Sequence, residues 1–298
     1  MKKVLLIAVF SCLLASVSAQ IQIRTEYLSS SSLQNKEDEK FGKGDMLKIS
    51  GRYTLPLSII PTERAQPRIW NATISGSYGS FRNELEQADL DQSQIINANF
   101  TVNHIRPISE KWSFIGSLGA GIYSSPKAIT AESILFNGAA IFMYRIKDNL
   151  SIGAGAGLTN SFGVPLLIPM ALVNWKVSGD YEVSANIASG IDISAAAKLS
   201  EHWKLRITGI EIDGISSVVK IDDTSKIYGL SNIRSYISPE YKRGNTSLFI
   251  GLGGNWMRSV TLADRSFKGF TESLFKNKNK FNFGSSFYIT VGFRYSMF

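Results

Sequence analysis

The chain contains two histidines, His104 and His202, and hydrolytic chemistry would require one of them beside a serine and an acid or amide. His104 could pair with Ser109 or Glu110, but a non-catalytic, interfacial position near the end of a strand is the favoured interpretation. His202 lies in a tight polar turn. The sequence has no Gly-x-Ser-x-Gly, His-Glu-x-x-His or phosphate-loop motif. We therefore predict no catalytic residue, no cofactor and no enzyme activity.

Four acidic residues, Glu84, Glu86, Asp89 and Asp91, cluster in one polar segment, where carboxylates could bind divalent ions. They lack the Asp-x-Asp-x-Asp-Gly spacing of a calcium loop. The single cysteine, Cys12, lies in a segment that we expect to be removed, which leaves no thiol for a metal or a disulfide. We predict a solvated acidic loop and no metal site, with bridging of surface divalent ions as the alternative.

The first residues have the pattern of a secretory signal peptide. Lys2 and Lys3 precede the apolar run 4–14, and the small residues Val17-Ser18-Ala19 provide a cleavage site. We expect residues 1–19 to be removed and residues 20–298 to form one domain.

The remaining chain alternates apolar and polar residues with period two. In 45–57 the alternate positions Leu47, Ile49 and Leu55 share one face, opposite Lys48 and Arg52. The segments with this pattern are 20–28, 45–57, 68–79, 94–106, 112–123, 133–146, 150–159, 165–177, 181–187, 190–199, 203–213, 227–241, 246–258 and 281–298.

The connections alternate between short turns and longer polar segments, and the longer segments are 29–43, 80–92, 124–132, 214–226 and 261–279. This alternation is typical of an outer-membrane barrel. We predict an all-β fold, a transmembrane antiparallel up-and-down β-barrel of about fourteen strands, with twelve as the alternative. No helical periodicity is evident after residue 20.

Tryptophans support this arrangement of strands. Trp70, Trp112, Trp175 and Trp203 all fall at the short-turn end of the predicted barrel, and Trp256 falls near the other end. Aromatic girdles of this kind mark the two interfaces of a bilayer. Core positions in a soluble sandwich are the alternative.

The chain ends Phe293-Arg294-Tyr295-Ser296-Met297-Phe298, and the terminal Phe298 resembles the assembly signal of outer-membrane barrels. With the signal peptide, the chain resembles the small, uncharacterised outer-membrane barrel proteins of the Bacteroidetes type. The resemblance implies location in the cell outer membrane, contact with its lipid and lipopolysaccharide, and handling by the barrel-assembly machinery. It implies no particular activity.

The formal net charge is +8, and the basic residues are spread along the chain without an Arg-rich helix or an aromatic stacking motif. Nucleic-acid binding is therefore not expected. Several basic residues fall on the lumen face of the predicted strands, where they would favour anions. These predicted lumen-lining residues are Lys48, Arg52, Lys176, Lys198, Lys204, Arg206 and Arg294. The alternative is that they pair with acidic residues across a wet interior.

One sector of the predicted lumen is apolar and lies beside the glycine run 153–157. Its inward residues are Ile115, Ile141, Met143, Leu166, Ile168, Met170 and Leu172. Exposing them to water would cost about 1.5–3 kcal/mol each, so something must cover them. Facing side chains, the 20–43 segment, an outer loop or a hydrophobic ligand could do so.

These patterns favour a porin-like, passive or semi-selective channel for small solutes with an anion bias. The alternatives are a closed barrel with a structural or surface-interaction role, and a barrel that binds or transports a hydrophobic molecule. The partner is expected to be a small anionic solute or, under the last alternative, a hydrophobic solute.

Overall fold

The computed structural model describes residues 20–35, 39–63, 66–86, 90–126, 128–187, 190–275 and 280–296. The predicted signal peptide, Cys12, Asp89 and the terminal Phe298 lie outside these residues.

The described chain folds into one antiparallel sheet that closes on itself. Its strands are β1 (Gln20–Gln34), β2 (Lys40–Ile60), β3 (Arg68–Leu85), β4 (Gln94–Pro107), β5 (Trp112–Ser124), β6 (Ile134–Lys147), β7 (Leu150–Thr159), β8 (Leu166–Val177), β9 (Tyr181–Ile187), β10 (Ile191–Lys198), β11 (Trp203–Ile221), β12 (Thr224–Arg243), β13 (Thr246–Asp264), β14 (Lys280–Phe283) and β15 (Ser286–Ser296).

Closure comes from β1, which pairs with β2 on one side and with β14 and β15 on the other. Because β14 and β15 both lie between β1 and β13, they occupy one position in the barrel, interrupted at 284–285. The barrel therefore has fourteen strand positions, and the prediction of fourteen antiparallel strands is confirmed.

Several strands extend far beyond the predicted limits. Four of the five predicted long loops are partly or mostly strand, and 214–226 is a hairpin whose turn residues Asp222 and Asp223 have φ of 46° and 60°. Positive φ at both central residues matches the right-handed twist of a tight hairpin. The extensions were missed because their outward faces are polar, so they lack the apolar alternation that marks the other segments.

The prediction that no helix follows residue 20 was wrong. Helix α1 (Phe267–Phe275) lies in the predicted loop 261–279, and a 3-10 turn (Ala131–Ser133) precedes β6. Among the residues that the structure describes, no helix is long and apolar enough to cross a membrane.

A belt of exposed apolar side chains surrounds the barrel near the short-turn end. It includes Ile23, Ile49, Ile74, Phe100, Leu118, Phe136, Leu158, Leu167, Ile193, Ile207, Ile237, Ile250 and Val291. The four predicted girdle tryptophans, Trp70, Trp112, Trp175 and Trp203, are exposed at its short-turn edge, and Trp256 is exposed at the other edge.

The far edge of the belt is sharp on β2 and β3. Leu47 is exposed within the belt. Two residues earlier in the chain, toward the long-loop end, Asp45 accepts a hydrogen bond from Arg82 at 2.6 Å. Lys43 and Glu84 form the next outward ion pair, at 3.2 Å. The outer surface therefore changes from apolar to charged within one pair of positions.

Candidate functional site

Charged side chains from opposite walls meet inside the barrel. We call this set the ion network: Arg24 and Glu26 on β1, Lys48 on β2, Glu211 and Asp213 on β11, and Arg234 on β12. Lys48 Nζ lies 3.0 Å from Glu26 and donates to Asp213 at 2.7 Å. Because β2 and β11 are not neighbours in the sheet, the contact between Lys48 and Asp213 crosses the lumen.

Arg234 is the centre of the ion network and is fully buried. Its guanidinium donates to Glu26 at 2.7 Å and to Glu211 at 3.1 Å, and it lies 2.8 Å from Asp213. Arg24 donates to both carboxylate oxygens of Glu211, at 2.6 and 2.9 Å. Three cations and three carboxylates thus pair with one another, which is the condition under which buried charges are tolerated.

An apolar core closes the barrel on the long-loop side of the ion network. We call it the apolar cap: Leu28, Leu33, Met46, Phe81, Leu90, Ile95, Ile215, Val219, Tyr228, Leu230, Tyr236, Val260, Phe283 and Tyr288. It contains side chains from β1–β4 and β11–β15, so the strand extensions enclose a filled interior. The buried Arg258 guanidinium lies 3.6 Å above the Phe283 ring.

The tip of the β11–β12 hairpin crosses to the opposite wall. We call residues 215–227 the lid hairpin. Val218 pairs in parallel with Ser124 of β5, a strand that is not its neighbour in the barrel. Val218 and Ile227 are buried against Leu135, with Tyr123 and Phe162 beside them. The lid hairpin therefore covers the long-loop mouth above β5 and β6.

Polar contacts hold the lid hairpin to the surrounding loops. Ser225 Oγ donates to the Glu132 carboxylate, and Arg265 lies 3.9 Å from the same carboxylate. Arg265 also donates to the carbonyl of Ser161 at 3.1 Å. The lid hairpin and three other connections thus meet over one side of the mouth.

A cavity of about 540 Å³ remains below the lid hairpin, and we call it the polar chamber. The ion network forms one of its walls through Arg24, Glu26, Lys48 and Asp213. The facing wall comes from β2–β5 and carries the uncharged polar side chains Ser50, Ser75, Ser77, Asn97, Asn99 and Tyr123. Arg52 also lines the chamber.

Uncharged polar pairs continue from the chamber toward the short-turn end. Asn137 donates to Asn99 at 3.1 Å, and Asn103 donates to Asn71 at 2.8 Å. The hydroxyls of Thr54 and Thr73 lie 3.2 Å apart. Their positions alternate with belt residues, so they face the lumen. We call this set, with Ser75, Ser77 and Asn97, the amide–hydroxyl wall.

The predicted basic residues have different surroundings. Lys48 belongs to the ion network, Lys204 donates to Glu182 at 2.9 Å, and Arg206 donates to Glu240 at 2.7 Å. Arg294 lies 3.8 Å from Glu240 and 4.6 Å above the Phe249 ring. Arg52 lines the chamber. Lys176 and Lys198 are exposed at the short-turn end.

The predicted apolar sector lies against the glycine run of β7. Ile141 and Leu166 are buried, and Ile115, Met143, Ile168, Met170 and Leu172 are half-buried. A Cβ added to Gly157 would lie 2.9 Å from Met170 Sδ, and one added to Gly153 would meet Met143 Sδ. Side chains of the neighbouring strands therefore pack against the glycines.

Close packing of backbone at β7 predicts a graded response to added methyl groups. In Gly155→Ala the new Cβ would lie 2.7 Å from Ile141 Cα and would also overlap the Ala140 carbonyl, so backbone must move. We expect a loss of about 2 kcal/mol in unfolding free energy. Gly153→Ala should cost less, because its nearest neighbour is the flexible Met143 side chain. Urea unfolding in detergent measures both, and equal midpoints would contradict this packing.

Neither histidine is placed for catalysis. His104 faces outward and stacks on Trp70 with ring centroids 4.0 Å apart. Ser109 Oγ instead accepts the Trp112 N–H at 3.1 Å. His202 lies beside Tyr241 in its turn. In the described ranges, His, Cys, Asp and Glu form no group of three or more that could hold a metal ion.

Of the residues in the ion network, only Lys48 was predicted from the sequence to line the lumen. Arg24 and Glu26 could have been found, because they alternate with Ile23 and Tyr27 in the first strand. Glu211 and Asp213 could not have been found from alternation. A register shift between Thr208 and Glu211 reverses the faces of β11 and turns both carboxylates inward.

The solved structures that resemble the chain are membrane barrels of low identity. An outer membrane channel from Pseudomonas putida F1 matches with a TM-score of 0.45 at 9% identity, over 94% of this chain and 96% of that one. The beta domain of the Bordetella autotransporter BrkA matches with a TM-score of 0.36 at 7% identity, over 94% and 99%. The translocator domain of autotransporter NalP from Neisseria meningitidis gives 0.34 at 11%, over 99% and 94%.

No curated protein matches the chain. One family model does match, over residues 15–296, which is nearly the full length. The chain therefore belongs to the family described as Domain of unknown function (DUF6268).

Proposed function

We propose that the protein is an outer-membrane barrel that passes small polar solutes through the polar chamber, with the lid hairpin over its long-loop mouth. The observation that carries this proposal is the chamber itself. It is a cavity of about 540 Å³ inside the barrel, and most of its lining side chains are polar. A barrel built only as a scaffold has no need of such a space.

The apolar belt supports the membrane location. On β2 it runs from Leu47 to Ile60, a span of 14 residues that exceeds the roughly 9–11 residues that a tilted strand needs to cross a bilayer. Tryptophans at both edges suit the headgroup regions. Outer-membrane lipid, lipopolysaccharide and the barrel-assembly machinery are the partners that this location implies.

We propose a weaker anion bias than the basic residues alone predict. Lys48, Lys204, Arg206 and Arg294 each lie within 4 Å of a carboxylate. Their fields are therefore largely cancelled within the lumen. Arg52 is the basic chamber residue outside the ion network, so we expect it to carry most of the remaining preference.

Neutralising Arg52 should therefore lower the anion preference. A unit charge about 8 Å from a passing ion in water contributes roughly 0.5 kcal/mol. Because this energy has opposite signs for anions and cations, Arg52→Gln should lower the ratio of anion to cation permeability by about twofold to fivefold. Arg106→Gln removes the same charge from an exposed position on β4, away from the chamber lining, and should leave the ratio unchanged. Equal effects of the two variants on the reversal potential would exclude this role of Arg52.

The channel proposal is tested by planar-bilayer recording of the refolded mature chain, 20–298, in a salt gradient. We expect discrete conductance steps and a reversal potential on the anion side. The insertion of folded protein is checked by heat-modifiable migration on a gel. If the protein is folded and inserted but no conductance steps are recorded, the proposal is overturned.

A closed barrel with a structural or surface-interaction role is the second candidate. The observation in its favour is the apolar cap, which fills the interior between β1–β4 and β11–β15. It predicts silence in the same recording. Transport of a hydrophobic molecule has less support, because Ile141 and Leu166 of the apolar sector are already buried.

A further inference from the structure

We propose that the polar chamber and the amide–hydroxyl wall select neutral, polyhydroxylated solutes of about the size of a monosaccharide. This inference rests on the proposed channel function and names its substrate class. The chamber volume of about 540 Å³ falls within the roughly 300–1,000 Å³ of pockets that hold small molecules.

The amide–hydroxyl wall offers both donors and acceptors for the hydrogen bonds that a hydroxyl group makes. Each asparagine has an acceptor oxygen and a two-proton donor, and each serine or threonine hydroxyl can donate and accept. Each of the pairs Asn99–Asn137 and Asn71–Asn103 uses one donor and one acceptor, and Asn99 also donates to the Thr101 hydroxyl at 2.7 Å. Their other hydrogen-bonding atoms can replace water around a sugar-like solute as it moves along the wall.

The chamber also holds acceptors that other described residues do not satisfy. Asn97 Oδ1 and Asp213 Oδ1 are buried without a hydrogen-bond partner in the described part of the chain, and both residues line the chamber. Buried acceptors of this kind are normally satisfied by water or by a ligand. Solute hydroxyl groups have the donors that these two oxygens require.

The charges of the chamber favour a neutral solute over an ion. Lys48 is held by two carboxylates, and Arg24 is held by both oxygens of Glu211. An ion entering the chamber would lose part of its hydration, and apart from the Arg52 guanidinium it would meet neutral side chains and charges that are already paired. That loss costs more for a charged group than for a hydroxyl.

The test compares three probes of similar size that differ in charge: D-glucose, D-gluconate and D-glucosamine. Flux into liposomes that contain the refolded mature chain is measured for each, and chloride conductance is recorded in planar bilayers. We expect glucose to enter fastest. Millimolar glucose should also reduce the chloride current by occupying the chamber.

Asn97→Leu tests the site itself, because leucine has a similar size but no hydrogen-bonding atoms. We expect the ratio of glucose flux to chloride conductance to fall about tenfold. Asn245→Leu, in the exposed turn before β13, is the matched control and should behave as wild type. If Asn97→Leu does not fold, the double variant Ser75→Ala/Ser77→Ala removes two hydroxyls from the same wall.

The outcomes separate this inference from the channel proposal. Suppose that the protein conducts chloride but that the flux of gluconate or glucosamine equals or exceeds the flux of glucose. That result would overturn the inference and would still agree with the channel proposal. Unchanged glucose flux in a folded Asn97→Leu variant would also overturn it. Absence of flux for every probe and for chloride, from inserted protein, would overturn the channel proposal.

Discussion

Replacement of Arg234 by methionine is expected to destabilise the barrel by about 3–5 kcal/mol. Arg234 is fully buried and contacts Glu26, Glu211 and Asp213. Its removal would leave three carboxylates with only Lys48 and Arg24 to balance them. Buried charge without compensation is among the most destabilising changes that a single substitution can make.

Urea unfolding of the refolded protein in detergent, followed by heat-modifiable migration or tryptophan fluorescence, measures this loss. Arg82→Met is the matched control, because Arg82 pairs with Asp45 on the outer surface and is 76% exposed there. An exposed pair contributes only about 0–1 kcal/mol, so the control should unfold close to wild type. Similar midpoints for the two variants would show that the ion network is not what holds the opposite walls together.

Opening of the lid hairpin is the second large effect that we expect. Val218 is buried against Leu135 and Ile227, and it pairs with Ser124 across the mouth. Val218→Asp would place an unpaired carboxylate in this apolar contact, which is costly while the lid is closed and relieved once it opens. A shift of about 1.4 kcal/mol raises the ratio of open to closed channels tenfold.

Planar-bilayer recording of open probability tests this expectation. Lys220→Asp also introduces a carboxylate into the lid hairpin, but at a side chain that is 56% exposed beside Asp223. It should leave the open probability near that of wild type. If Val218→Asp and wild type have the same open probability in folded, inserted protein, the lid hairpin is not a gate.

The ion network and the lid hairpin share two strands. The network joins β1 and β2 to β11 and β12, and the polar chamber lies directly against it. The lid hairpin continues from β11 and β12, which also carry Glu211, Asp213 and Arg234 of the network. The width of the chamber and the state of the mouth are therefore expected to be coupled.

The sequence by itself determined the barrel architecture. Alternation with period two is set by the geometry of the strand. A bilayer requires apolar side chains at the alternate positions that face outward. The placement of Trp70, Trp112, Trp175 and Trp203 at one rim followed from the same rule. The inward direction of Arg206 and Met170 also followed, since both lie in segments without a preceding bulge.

Only the tertiary structure decided what the interior does. The bulge after Thr208 turned Glu211 and Asp213 inward, because one extra residue reverses every later side chain of the strand. Pairing between Lys48 and Asp213 depends on how far apart two walls of a closed barrel lie, and no local pattern encodes that distance. The same holds for Val218 and Ser124, which meet because a hairpin long enough to cross the mouth bends over it. Local alternation therefore specified the shell, whereas contacts across the lumen specified the chamber, its charges and its cover.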